Sequence, residues 1–248
     1  MPARSRKDAL VDKALQLFYR DGFHATGIDR IIAETGVAKM TLYNNFDSKE
    51  ALILEALSRR EEAFGRWLTE RTAGTGLDPR ARLLALFEAL GPWFAGKDFR
   101  GCLFIRAAGE YPALSDPIHR CAAKYKRGLR DFIAGIAREA SAGDADALAR
   151  RLMLLVEGAI VTAQIGGDGA GAAADARLAA EILIDAALRN AAPRAPKKIS
   201  PHTERAKAWG LAGVPRNSED EARCFAGGRP FRSCSARRPR TRARSARR

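Results

Sequence analysis

The 248-residue sequence predicts an all-α fold, on three observations. Across residues 1–189 apolar side chains recur at three- and four-residue intervals, the spacing that lines one face of a helix. Alternating β-branched runs, the mark of strands, are nearly missing from that span. Gly, Asp-Gly and Pro punctuate the periodic runs as helix stops and kinks. At 46% hydrophobic residues the composition is globular, and the length suffices for a sizeable core in one large or two small domains.

The elements follow in order. Leu10, Ala14, Leu17 and Phe18 share a face of a first helix that stops at Asp21-Gly22. A short run from Ile28 to Thr35 closes at Gly36, and another runs from Lys39 to Phe46. Asp47-Ser48-Lys49-Glu50 opens a long helix with a capping residue and a nearby carboxylate. Ile53, Leu57, Phe64 and Leu68 mark its buried face, and Ala73-Gly74-Thr75-Gly76 breaks the chain after it. A helix over Pro79 to Ala95 turns Leu83, Leu84, Phe87 and Leu90 inward, with Gly91-Pro92 placed to kink or shorten it. Gly101 to Phe104 reads as a buried helix start that ends at Tyr111-Pro112, and a further helix covers 116–141. Two apolar helices, about 144–165 and 172–189, close the periodic region, separated by Gly166-Gly167-Asp168-Gly169.

Charge divides the chain. Residues 190–248 hold 16 Lys+Arg against 4 Asp+Glu, whereas residues 1–189 hold 27 against 25. The net charge of +14 therefore describes a tail, and does not by itself make the folded part a nucleic-acid binder. Prolines interrupt that tail and arginine dominates its end, so 191–248 is expected to be a disordered basic segment. It is compatible with non-specific binding to nucleic acid, with a solvated appendage, or with a misread frame at the end of the gene.

Several function classes lose support. No apolar run approaches the ~18 residues that cross a membrane. The N-terminus passes straight into a charged, helix-like segment without the apolar stretch of a signal peptide, so a cytoplasmic protein is expected. Cys102, Cys121, Cys224 and Cys234 form no CxxC pair, which argues against a structural zinc or disulfide scaffold. His119 and Cys121 are two residues apart and do not face each other on a helix, so they make no catalytic pair. No phosphate-cradling loop, metal cluster or triad is visible, so neither enzyme nor cofactor is expected. A thiol redox sensor at Cys102 and Cys121 stays open as an alternative, against their reading as small buried hydrophobes.

The informative block is Thr26 to Glu50. Two short helices joined at Gly36 form a helix-turn-helix pattern, with Ile28, Ile31, Ile32, Val37 and Leu42 spaced to pack inward. Lys39, Met40, Tyr43 and Asn44 then face outward, a mixture suited to phosphates and base edges. Any helical hairpin satisfies the packing part, so periodicity alone leaves open a DNA-reading pair or simple core.

The block resembles the DNA-binding domain of TetR-family transcriptional regulators. The matching residues are Ala14, Leu17-Phe18, Gly22-Phe23, Thr26, Ile31 to Ala33, Gly36-Val37 and the run Thr41-Leu42-Tyr43, Phe46, Ser48-Lys49-Glu50 and Leu52, over roughly residues 6–60. The resemblance implies a phosphate contact at Thr26, a recognition helix bearing Lys39, Met40, Thr41, Tyr43, Asn44 and Asn45, and a backbone contact at Lys49. Gly27, Met40 and Asn44-Asn45 depart from the commoner family residues, which bears on the base sequence read.

The resulting expectation has three parts: a DNA-binding domain at 4–64 with its helix-turn-helix near 27–46, a ligand-binding and dimerisation domain at 65–190, and the tail at 191–248. Its partners would be double-stranded DNA at a pseudo-palindromic operator, a second copy of the chain through the helices near 144–165 and 172–189, and a small hydrophobic or aromatic effector. Trp93, Phe94, Phe104, Glu110, Tyr111, Tyr125 and Gln164 are the candidate pocket residues. The protein would be a repressor released by that effector. The rival is a non-specific nucleic-acid binder working through the Arg-rich tail.

Overall fold

A computed structural model describes residues 5–72 and 76–189. The expected tail at 191–248 lies outside the described residues. The described chain is entirely helical: α1 (Arg6–Asp21), α2 (Ile28–Thr35), α3 (Lys39–Tyr43), α4 (Lys49–Thr72), α5 (Pro79–Glu88), α6 (Leu90–Phe94), α7 (Leu103–Glu110), α8 (Pro117–Glu139), α9 (Ala145–Gly166) and α10 (Gly169–Arg189).

Capping chemistry sets most of the boundaries. Ser5, Asp78, Asp116 and Asp144 each accept a backbone N–H from the first turn of the helix that follows, satisfying donors with no partner inside that helix. Ser48 does the same for α4 through the Ala51 N–H at 3.1 Å. Gly36 and Gly167 end α2 and α9 in the left-handed conformation.

Three expected spans are corrected. The recognition helix ends at Tyr43, not Phe46, because the Asn45 side chain donates to the Thr41 carbonyl at 2.7 Å and competes with the helical ladder. The helix expected over 79–95 is two helices, α5 and α6, parted at Ala89. Pro92 has no N–H to offer the Glu88 carbonyl, so the ladder breaks there. The last helix starts at Gly169 rather than near 172, because the Asp168 carboxylate accepts the Gly171 N–H at 2.8 Å and draws a glycine-rich stretch into the first turn.

Two apolar cores meet along α4 and α7. The first holds Leu10, Phe18, Phe23, Ile31, Leu42 and Leu57, and continues into Leu103, Phe104, Ile118 and Tyr125. The second holds Trp67, Leu83, Phe87, Trp93, Leu152 and Ile184. Phe64 and Cys102 pack against both. Helices α9 and α10 lie side by side, and their buried residues are rich in alanine, among them Ala159, Ala163, Ala172, Ala176 and Ala180. Their outer faces expose Leu154, Val161, Ile165, Leu178 and Ile182, with Gly158 on the same surface.

One buried charge network ties α1 to α4. The Arg59 guanidinium donates to Asp12 at 2.7 Å and Asp8 at 2.8 Å, with the Arg59 side chain 5% exposed and that of Asp12 6%. Removing one member of such a network strands the others. Arg59→Ala is expected to cost about 3–5 kcal/mol of stability at neutral pH, read by urea unfolding. Hydrogen bonds from the Ser5 hydroxyl, and then Arg59, hold the Asp8 carboxyl below its ordinary range. Its stabilisation is therefore full above about pH 4 and lost as pH falls through the lower folded value. The stability gap between wild type and Arg59→Ala is expected to narrow on acidification, and a pH-independent gap would contradict this assignment.

Candidate nucleic-acid interface

Helices α1, α2 and α3 form a reading head. Helices α2 and α3 pack through Ile31 and Leu42, both fully buried, and Gly36 at φ 67° makes the turn between them. This leaves one outward face on α3. Met40 is 68% exposed and Tyr43 49% exposed. Lys39 is exposed beside them, its ammonium 3.2 Å from the solvent-facing Asp29 carboxylate. Such an exposed pair is worth little, so Lys39 can exchange Asp29 for a phosphate at small cost. Asn44 and Asn45 are exposed, whereas Thr41 and Lys49 are partly buried at the edges of the face. Neither α2 nor α3 has a side-chain cap, so first-turn N–H groups stand without that internal acceptor.

Thr26 has a different position from that implied by the resemblance. It is fully buried, and its hydroxyl donates to the Gly22 carbonyl at 2.7 Å. It closes the turn between α1 and α2 instead of facing outward.

A cavity of about 40 Å³ lies in the body, room for only a few waters. Trp93, Phe104 and Tyr125 of the expected pocket line it, Phe104 and Tyr125 stacked with ring centroids 3.7 Å apart. Burial pushes the Tyr125 phenol well above its ordinary range, so it stays neutral.

The other four expected pocket residues serve elsewhere. Phe94 packs into the core against Trp93 and Phe99. Gln164 is exposed, its amide so close over Gly101 that a Cβ there would clash. Glu110 and Tyr111 sit under the reading head. The Glu110 carboxylate accepts the Phe23 N–H at 3.1 Å and the His24 N–H at 2.7 Å, and Tyr111 packs against both rings. One helical turn earlier, Arg106 donates to the Tyr19 carbonyl at 2.9 Å. Helix α7 thus meets the end of α1 with a cation on its carbonyls and an anion on the amides that follow. Gly22, at φ 96°, sits so near Glu110 that an added Cβ would lie 2.8 Å from its Oε1.

The comparisons with known proteins match this arrangement. Residues 10–56 match the family described as bacterial regulatory proteins, tetR family, and residues 79–179 match the tetracyclin repressor-like C-terminal domain. A crystal structure of a putative TetR transcriptional regulator from Streptomyces avermitilis is 32% identical, with a TM-score of 0.65, over 74% of this chain and 98% of that one. The chain belongs to the TetR family. A second TetR-family structure, SCO4454 of Streptomyces coelicolor, is 26% identical with a TM-score of 0.67, over 76% of this chain and 96% of that one. The helix-turn-helix-type transcriptional regulator YjdC of Escherichia coli is 24% identical over 178 residues, 72% of this chain and 93% of that protein. This TetR-family protein is accordingly a DNA-binding transcriptional regulator, of a family that is not enzymatic. Among the described residues, no helix is long and apolar enough to cross a membrane.

Sequence reasoning missed Arg60, Phe64, Trp67, Cys102 and Lys126 as cavity walls. A signal was present: Arg60 interrupts the apolar row Ile53, Leu57, Phe64, Leu68, and Lys126 interrupts the row Ala122, Leu129, Ile133. It also missed the clamp: Glu110 was expected at the pocket, and nothing close to Arg106 or Glu110 in the chain points to partners more than eighty residues away. Cys102 and Cys121 are partly buried against apolar neighbours.

Each clamp bond carries one charged partner, so Glu110→Ala, which removes two, is expected to lower stability by about 3–5 kcal/mol. The unfolding midpoint should fall clearly further than for Glu139→Ala on the exposed surface of α8. Equal midpoints would show that the clamp holds nothing.

Proposed function

We propose that this chain is a ligand-responsive repressor that binds a pseudo-palindromic operator as a homodimer and leaves it when a small effector enters the body. It would act on cytoplasmic DNA and need no metal or other cofactor. One observation carries the reading: Phe104 and Tyr125 line the cavity and also belong to the core of the reading head. An effector that parts those rings moves the surface on which the head rests. The effector acts only through its difference in affinity between the two head positions, and a tenfold release needs about 1.4 kcal/mol of coupling.

On DNA, α3 enters the major groove. Met40 meets base edges and methyl groups, with Asn44 and Asn45 beside it, while Lys39, Tyr43 and Lys49 take phosphates. The uncapped start of α2 supplies backbone N–H groups to a further phosphate, in place of the buried Thr26 hydroxyl.

The second copy is expected on α9 and α10. Leu154, Val161 and Ile165 form one apolar row and Leu178 and Ile182 another, a patch that a monomer rarely exposes. Pairing with a second copy gives a four-helix bundle, and Gly158 permits close approach. Two heads related by a two-fold axis then read half-sites about one helical turn apart.

Two experiments test this. Selection from random duplexes at physiological salt, with the full chain and with residues 1–190, should enrich one shared palindrome. Tyr43→Ala should weaken binding to it by about tenfold or more, at least about 1.4 kcal/mol. Binding without an enriched sequence, lost on truncation, would make the basic tail the nucleic-acid element instead. In sedimentation, Ile182→Glu should shift the protein from dimer to monomer and weaken operator binding at least tenfold. A variant that stays dimeric would place the interface elsewhere.

A further inference from the structure

The polar chemistry of the cavity wall is one-sided. Among the described residues that line it, Arg60 and Lys126 are the only charged ones, and both are cations. Trp93, 4% exposed, adds an indole N–H that is buried and has no hydrogen-bond partner. A buried donor left unpaired is costly, and an acceptor atom recovers that cost. The rest of the wall is mainly aromatic and aliphatic, with Phe64, Trp67, Leu90 and Val156 among its members.

Each cation has a contact outside the cavity. Arg60 is 7% exposed and lies over the Tyr19 ring at 5.0 Å. Lys126 pairs with Glu157 at 3.3 Å. An ammonium carries three donors, so that pairing leaves others to share. Glu157 and Glu61, the carboxylates closest to these cations in contact or in sequence, are not wall residues. Glu157 balances the Lys126 charge and Glu61 acts on the Tyr125 phenol. What the wall offers in surplus is therefore hydrogen-bond donors, which suit the acceptor-only oxygens of a carboxylate better than a hydroxyl, and have nothing to meet in an ammonium.

Resting on the effector reading above, we propose that the effector is a hydrophobic monocarboxylic acid, bound as its anion. Its apolar chain or ring parts the aromatic walls, and its carboxylate oxygens take the donors of Lys126, Arg60 and Trp93. The free space of about 40 Å³ is too small for such a molecule as the walls stand, so its entry displaces Phe104 or Tyr125. This joins recognition of the acid to movement beneath the reading head.

The test is calorimetric titration of the full chain with two matched sets: octanoate, 1-octanol and octylammonium, and 3-phenylpropanoate with 3-phenylpropanol. At least one acid should bind ten or more times tighter than its alcohol, and octylammonium should bind weakest. Lys126→Met keeps the length of the wall residue and removes its charge, and it should shrink that acid-to-alcohol ratio at least tenfold. Lys126→Arg should restore it. If Lys126→Met fails to fold, Trp93→Phe removes the indole N–H together with part of the ring, and should weaken the acid several-fold more than its matched alcohol. Alcohols binding as tightly as their acids would overturn the acid proposal and leave the effector reading standing. No probe binding below about 1 mM would overturn both. An unchanged ratio in Lys126→Met would overturn the assignment of the carboxylate to this wall.

Discussion

The corner between α1 and α2 hangs on one helix of the body. Helix α7 is only eight residues long, yet it meets the head with three kinds of contact. Arg106 closes carbonyls at the end of α1, Glu110 closes the next two amides, and Leu103, Phe104 and Ala107 enter the head's core. Backbone groups at a helix end need partners, and here another domain supplies them. The orientation of the recognition helix relative to the body is therefore set by α4, which runs through both cores, together with α7, and Gly22 is the residue small enough to let the corner approach.

The same helix forms one wall of the cavity. Phe104 stacks on Tyr125, and both rings face a void that holds only a few waters. Close-packed interiors respond to an inserted group by shifting whole elements rather than by local compression. A short helix clamped to the head at one end and stacked on the cavity at the other is suited to pass such a shift on. The hydrogen bonds at the clamp each carry a charged partner, which makes them stronger than neutral ones.

Much of this was legible in the sequence because the signals are local. Helix periods, the Asp and Ser caps and the Gly36 turn depend on residues close in the chain, and Ile31 and Leu42 are as buried as their spacing implied. Outward placement of Lys39, Met40, Tyr43 and Asn44 followed from the same periodicity. The boundaries that moved depended on competing hydrogen bonds, at Asn45 and Asp168, or on the missing N–H of Pro92, whose reach spans only a few residues. The pocket was less legible because its walls come from α4 through α9, and no local pattern reports which aromatic faces a void. Glu110 and Tyr111 were placed in the pocket by composition, but their partners Phe23 and His24 lie more than eighty residues away. That Arg60 and Lys126 break apolar rows was visible in the sequence, but its meaning needed the cavity.

The central claim is that the cavity wall and the reading head are one mechanical unit through α7. It is tested most directly by amide hydrogen exchange in Phe104→Leu, which alters the cavity wall and leaves the clamp residues in place. The account predicts faster exchange at the Phe23 and His24 amides than in wild type, with the interior of α1 unchanged. Unaltered exchange at those two amides, in a variant that remains folded, would contradict it.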